Sequence, residues 1–388
     1  MQSSYAQIIK QICPASDAGA EKIVYSRDAS PAVGKADIIT WPSTYLELQK
    51  LIRFCAREKI SITARGGGTG LVGGAVPQDS IVVDMSRINR MSNISHENKT
   101  IGVGAGVILD QLNDQLKPYN LEFPVQPGSH AACTIGGMIA TNAAGMMSAR
   151  YGRTADRVLT VKIMDGTGKV FDLDKEKVKE IAGTEGNCCI ILEATLKLQE
   201  IQNDVSSDLF AFGTIEETLA KFEELKNDNS VMSIEYINEL ASQLAEIKPR
   251  EYLLVKYSGK KGKFGEYEAE KFWKLRENMY SVLVESGFGR IEDPKIPEAR
   301  LKDFLVWLQI RKIPCYGHIS SGIFHPHFAN EKDLNEMYDL VSSINGELAS
   351  EHGVGILKKK LAPAFLYKMK SLKERYDPVN ILNRGKIL

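Results

Sequence analysis

An α+β fold in two domains is what this sequence predicts, and three observations predict it. At 388 residues the chain is too long for one simple core. Its first half carries short β-prone runs around an unusually glycine-rich loop. Beyond a polar stretch at residues 200–208, helical and strand patterns alternate in a way that suggests an α+β unit with an antiparallel sheet. The composition, 43% hydrophobic and 25% charged, is that of an ordinary globular protein.

Charge and cysteine usage exclude several function classes. The formal net charge is zero and the one basic block is Lys358-Lys359-Lys360, so no nucleic-acid partner is expected. Six cysteines, at 13, 55, 133, 188, 189 and 315, form no CxxC pair and read as reduced thiols of a cytoplasmic protein. The start Met1-Gln2-Ser3-Ser4-Tyr5 lacks the basic-then-apolar pattern of a signal peptide. No run reaches the ~20 apolar residues of a membrane span, although peripheral attachment to a membrane is compatible with the sequence.

In chain order, Tyr5, Ile8, Ile9 and Ile12 have helical spacing. Ile38-Ile39-Thr40-Trp41-Pro42 reads as a strand stopped by proline. Ser43 or Thr44 then caps a helix whose apolar face is Leu46, Leu48, Leu51, Ile52, Phe54 and Cys55. After the strand Ile60-Ser61-Ile62-Thr63-Ala64 comes the stretch around which the chain is organised: Arg65-Gly66-Gly67-Gly68-Thr69-Gly70-Leu71-Val72-Gly73-Gly74-Ala75. Six of these eleven residues are glycine, and the strand Ile81-Val82-Val83-Asp84 follows. Such a loop exposes backbone N–H groups without side-chain cover, and a nest of amides binds anions, phosphate most commonly. The bland alternative is a loose surface loop.

Ile101-Gly102-Val103-Gly104-Ala105-Gly106-Val107 falls one glycine short of a dinucleotide fingerprint and reads better as a strand leading into a helix over residues 108–116. Pro127-Gly128-Ser129 is a turn. The small, nearly uncharged run Thr134-Ile135-Gly136-Gly137-Met138-Ile139-Ala140-Thr141-Asn142-Ala143-Ala144-Gly145 reads as the wall of a cofactor cleft, with close helix packing as the alternative. Residues 158–164 form a strand that Asp165-Gly166-Thr167-Gly168 turns back into Val170-Phe171. Gly183-Thr184-Glu185-Gly186 feeds the strand at residues 190–198, which includes Ile191. Helices are expected near 214–227, 264–286 and 362–375, and strands near 231–236, 252–257 and 314–319.

Three of the six histidines fall in Gly317-His318-Ile319-Ser320-Ser321-Gly322-Ile323-Phe324-His325-Pro326-His327, and another in Glu351-His352. Imidazole with carboxylate suits zinc, manganese or iron(II). On one straight strand His318 and His325 would face opposite sides. They converge only if Ser320-Ser321-Gly322 makes a turn. Scattered surface histidines are the competing reading. Arg276, in Trp273-Lys274-Leu275-Arg276-Glu277 on a helix, could clamp a carboxylate, but from spacing alone it reads as a solvated arginine.

Taken in order, these motifs, with Glu351-His352-Gly353 and the closing Asn383-Arg384-Gly385-Lys386, resemble one family. The chain is similar to the FAD-dependent 2-hydroxy acid dehydrogenases of the vanillyl-alcohol oxidase / p-cresol methylhydroxylase (PCMH) superfamily. The nearest group is that of glycolate oxidase, D-lactate dehydrogenase and D-2-hydroxyglutarate dehydrogenase. The resemblance implies a PCMH-type FAD-binding domain of two α+β lobes at 1–203 and a smaller α+β cap at 204–350 with an antiparallel sheet. A C-terminal segment at 351–388 would return to the FAD domain.

It also implies non-covalent FAD, with Gly66 to Gly70 on the diphosphate and Arg65, Gly74, Pro127, Gly128, Thr134, Gly136, Gly137, Thr141, Asn142, Gly186, Ile191 and Asn383 around the cofactor. His318, His325 and Glu351 would hold a divalent zinc, manganese or iron. His352 would be the base, and Arg276 would bind the carboxylate of a small D-2-hydroxy acid such as lactate, glycolate or 2-hydroxyglutarate. A quinone, cytochrome or electron-transfer flavoprotein would re-oxidise the flavin, and a homodimer is an open assembly. Two alternatives stay open: an alkyl-glycerone-phosphate synthase-like transferase, and an FAD-binding electron-transfer subunit of a larger complex. The chain departs from the family at Ser320-Ser321-Gly322-Ile323, where Gly-Asp-Gly-Asn is usual, at Cys188-Cys189, where Leu-Gly is usual, and at Arg384, which replaces a proline.

Overall fold

The run before the glycine loop becomes the strand Ile62–Arg65, and it lies parallel to Gln78–Asp84, the strand after the loop. A parallel pair needs a crossover and not a tight hairpin. Residues 66–77 make that crossover without any helix. Lys35–Thr40 pairs in parallel with Gln78–Asp84 on its other side, and Ala15–Ser16 completes a four-stranded sheet. The computed structural model that shows this describes residues 3–361 and 363–388. Residue 362, the first of the expected C-terminal helix, lies outside the described residues, as do Met1 and Gln2.

The helix Tyr45–Glu58 packs on this sheet. Thr44 caps it by accepting from Glu47 N, and Lys59 closes it in the left-handed region. Leu48, Leu51, Ile52, Phe54 and Cys55 are buried as their spacing predicts, but Leu46 is exposed. It lies 200° around the helix from Leu48, off the buried stripe.

A second four-stranded sheet, antiparallel throughout, runs in the order Thr100–Gly104, Cys189–Lys197, Val158–Asp165, Val170–Asp174. Its hairpin is fixed by the Asp165 carboxylate, which accepts from Thr167 N at 2.8 Å and Lys169 N at 2.9 Å. The run at 101–107 ends the strand Thr100–Gly104 and enters the helix Leu109–Leu116, so the fingerprint reading does not apply. The C-terminal helix Pro363–Tyr376 is stopped at Asp377, whose carboxylate accepts from Lys373 Nζ at 2.7 Å and Leu382 N at 2.8 Å. Leu382 then lies beside Ile62 in parallel, which brings Asn383 and Lys386 to the strand that enters the glycine loop. All six cysteines are free and buried.

These elements form one compact unit, the chain up to Gly145 with Tyr151–Ile201 and His352–Leu388. A second unit comprises Met146–Arg150 and Gln202–Glu351. Its sheet has seven antiparallel strands in the order Phe264–Gly265, Val205–Phe212, Glu251–Ser258, Val231–Ile237, Cys315–His318, Ile323–Phe328, Arg290–Ile291.

Successive side chains alternate between the faces. One face buries Ile234, Tyr236, Leu253, Val255 and Phe324 against the helices Ile215–Leu225, Leu301–Arg311 and Glu331–Ser343. On the other face Ile237, Tyr252 and Tyr316 pack on Met279 and Leu283, and the same face carries Glu235, His318 and His325. The helix expected over 264–286 is two, Glu266–Glu277 and Met279–Glu285, divided at Asn278. Among the described residues no helix is long and apolar enough to cross a membrane.

Candidate active site

In the first unit the glycine loop meets the start of the helix Ile135–Thr141. A Cβ on Gly66 would lie 2.3 Å from Thr134 Oγ1, so a side chain there would push loop and helix apart. Thr134 is the helix cap and accepts from Gly137 N at 3.2 Å. Among the described residues, no backbone amide from Gly66 to Gly70 donates a hydrogen bond within the protein. Five consecutive unused donors beside a helix start make a fitting cradle for the doubly charged diphosphate of a dinucleotide. Gly128 and Gly137 also leave their backbones largely uncovered: chain neighbours and the helix's own backbone aside, the Thr134 hydroxyl alone among the described residues comes within 4 Å of a Cβ built on either.

Other residues expected at the cofactor have work within the protein. Arg65 donates to Arg27 O at 2.6 Å and stacks over Tyr25. Gly136 is buried against Ala105, so close packing and the cleft wall divide between two adjacent glycines. The Thr141 hydroxyl donates to Gly137 O at 3.0 Å. Asn142 is a left-handed helix cap whose Oδ1 accepts from Ala155 N at 3.1 Å. Pro127 precedes a turn, and Ile191 is buried in the strand Cys189–Lys197. Asn383 donates to Glu185 O and to Gly74 O at 3.3 Å, and accepts from Lys386 Nζ at 2.9 Å. Gly186 lies beside it in the left-handed region, with φ +69°.

The sequence showed no sign of the buried pair beneath this loop. Glu185 accepts from Val354 N at 2.6 Å and Gly355 N at 3.0 Å, and its carboxylate borders Gly74. Lys386 Nζ donates to Gly74 O at 2.9 Å and Thr63 Oγ1 at 3.3 Å. Burial pushes the Glu185 carboxyl up to about 7 and the Lys386 ammonium down to about 7.

In the second unit the histidines converge as the conditional reading required. The strands Cys315–His318 and Ile323–Phe328 are joined by a 3-10 turn at Ile319–Ser321 and by Gly322 at φ +71°. Register sets Tyr316 opposite His325 and His318 opposite Ile323, so the two histidines are diagonal neighbours on one face. Their ring centroids lie 5.3 Å apart. Glu351 joins them: its Oε2 lies 3.5 Å from His325 Nε2 and 3.8 Å from His318 Nε2, buried and, among the described residues, without a hydrogen-bond partner. One ligand atom from each of the three lies within 4.8 Å of the others. Two imidazoles and a carboxylate form an open three-ligand set that fits a divalent cation. Asp293 holds the Glu351 backbone by accepting from Ser350 N at 3.0 Å and from Glu351 N.

Arg276 corrects the solvated reading. It is buried in the last turn of Glu266–Glu277, ion-paired with Glu235 and stacked over Tyr316 at 4.3 Å. Glu235 was missed in the sequence. It is fully buried, directly opposite His318 in register, and receives His318 Nδ1 at 2.7 Å. Burial opposes an imidazolium at His318, but the Glu235 carboxylate outweighs it and holds the histidine above its ordinary range. His352 follows Glu351 in the chain and opens the returning segment of the first unit.

Comparison with known proteins adds the following. A family profile described as FAD binding domain matches residues 36–174, and one described as FAD linked oxidases, C-terminal domain, matches residues 262–387. A D-lactate dehydrogenase of Archaeoglobus fulgidus is 26% identical over 92% of this chain and 93% of its own. A D-2-hydroxyglutarate dehydrogenase of Xanthomonas citri is 24% identical over 90% and 88%. Glycolate oxidase subunit GlcD of Bacillus subtilis is 26% identical over 96% and 93%. A solved alkyldihydroxyacetonephosphate synthase superposes with a TM-score of 0.77 at 17% identity, covering 99% of this chain and 84% of its own. That likeness speaks for the fold alone.

Proposed function

Because the chain belongs to the FAD-linked oxidases, an FAD-dependent oxidoreductase superfamily, we propose that it oxidises a small D-2-hydroxy acid of the lactate, glycolate or 2-hydroxyglutarate type to the 2-oxo acid. The observation that carries this reading is the set His318, His325 and Glu351, with Arg276 ion-paired to the Glu235 that holds His318. The amides of Gly66 to Gly70 would hold the diphosphate of non-covalent FAD, which would supply the two-electron acceptor. A divalent cation held by His318, His325 and Glu351 would lower the pKa of the substrate hydroxyl.

The protein's own groups do the rest. Arg276 spends one edge of its guanidinium on Glu235 and keeps Nη1 for a substrate carboxylate. Fixing that carboxylate sets which Cα hydrogen leaves as hydride. His352 accepts the hydroxyl proton as the general base. The alcohol thus loses a hydride and a proton and becomes a carbonyl.

The experiment is anaerobic mixing of the FAD-loaded protein with D-lactate, glycolate and D-2-hydroxyglutarate, with and without a chelator. Bleaching of the flavin by one of these acids, slowed by chelation, is expected. No bleaching with any of them overturns the reading and favours a transferase or an electron-transfer subunit.

A further inference from the structure

We infer that Glu235 is a positioning residue that sets His318 as a ligand and Arg276 as a carboxylate clamp at once, so that metal affinity and substrate affinity are coupled through one side chain. The inference rests on the metal and substrate roles proposed above.

Glu235 is fully buried, and each of its oxygens has a separate task. Oε1 meets His318 Nδ1 at 2.7 Å. Oε2 receives Arg276 Nε at 2.7 Å and Nη2 at 2.6 Å. These contacts follow from the fold. Register sets Glu235 opposite His318 on one side and opposite Leu254 on the other, and the last turn of Glu266–Glu277 delivers the arginine. A carboxylate on Nδ1 fixes the imidazole tautomer with its N–H there. Nε2 is left as the lone pair facing Glu351, at 3.8 Å. The same carboxylate fixes the guanidinium plane, already seated on the Tyr316 ring at 4.3 Å. Removing the arginine leaves Glu235 a buried charge with one partner, and the histidine's orientation then loses its fixed anchor. A side chain serving as mere packing would show no such link between a residue that binds no metal and the metal's affinity.

The test uses the full-length, FAD-loaded protein, stripped with a chelator and equilibrated by dialysis against Zn2+, with bound metal counted by atomic absorption. Glu235→Gln keeps size and an acceptor but must turn its NH2 toward either His318 or Arg276. We expect it to bind Zn2+ about 10–100-fold more weakly than wild type, to need more hydroxy acid for half-maximal flavin bleaching, and to keep its bound flavin. Arg276→Lys should also weaken Zn2+, and the double variant should lose less than the two single losses combined. Flavin-loaded Glu235→Gln with wild-type Zn2+ affinity overturns the inference. Should that variant not fold, unchanged Zn2+ affinity in Arg276→Lys overturns it as well. Wild-type protein that takes up no Zn2+ sinks the proposed metal role, and the coupling falls with it. If wild type takes up Zn2+ but bleaches with no hydroxy acid, the substrate reading alone fails and the Zn2+ arms still decide.

Discussion

At the glycine loop the protein offers a ligand its backbone; on the histidine face it offers side chains. The first is made by one continuous stretch, whose amides from Gly66 to Gly70 are unused among the described residues. The second is assembled from Glu235, Arg276, His318, His325 and Glu351, gathered from a span of 117 residues by sheet register and a helix end. Backbone binding needs absence, namely no Cβ and no competing hydrogen bond. Side-chain binding needs presence, and each polar group must be held by another, as Glu235 holds His318 and Arg276.

The largest expected effect tests whether chemistry belongs to either region alone. His352→Ala removes the proposed base and leaves the loop amides and the three ligand side chains themselves unsubstituted. Turnover should fall by about 10²–10⁴-fold, while flavin absorbance and bound Zn2+ stay at wild-type levels. Retained turnover would assign the proton to another group. A loss of flavin or metal would show that the regions are not separable.

A smaller effect separates them from the other side. Gly66→Val places carbon 2.3 Å from Thr134 Oγ1. Overpacking of this kind costs roughly 1–3 kcal/mol, so FAD should bind about 5–150-fold more weakly. Zn2+ uptake should be unchanged, because the histidines take their geometry from a different sheet. Fluorescence titration of the apoprotein with FAD measures the first, and dialysis the second. Equal FAD affinity in this variant would mean the loop does not hold the diphosphate.

This difference in construction decided what the sequence could reveal. Glycine has a meaning by itself, so the loop was legible from composition, as were the strands on either side. The histidines were legible in part: their convergence required a turn at Ser320-Ser321-Gly322, and Gly322 supplies it at φ +71°. Glu235 was not legible, because a single carboxylate in the run Val231–Ile237 has no local mark of its partner 83 residues away. Arg276 failed for the same reason. Its helix reads as solvated, and apart from Arg276 only Ala269 is buried there. Period and propensity mark which way a residue points. Whether a charge is buried depends on what the rest of the chain sets against it.

The smallest expected effect concerns the pair under the loop, where both kinds of construction meet. Glu185 takes backbone amides, Lys386 takes the carbonyl of Gly74, and both are buried. For Glu185 burial raises the folded pKa from 4.5 to about 7, against the pull of the Val354 and Gly355 amides and of Lys386. The folded state therefore holds that proton more tightly, and the stability it contributes is lost as pH rises from 4.5 to about 7. For Lys386 burial lowers the folded pKa from 10.5 to about 7, with Glu185 opposing. The unfolded state holds that proton more tightly, so stability rises with pH from about 7 to 10.5. The pair should thus place a minimum of stability near neutral pH. Glu185→Gln should flatten the acid limb and Lys386→Met the alkaline limb, read from denaturant midpoints across the pH range. Profiles parallel to wild type in both variants would mean that the two groups stay ionised together, with their attraction outweighing the burial that separates their pKa values from those of exposed groups.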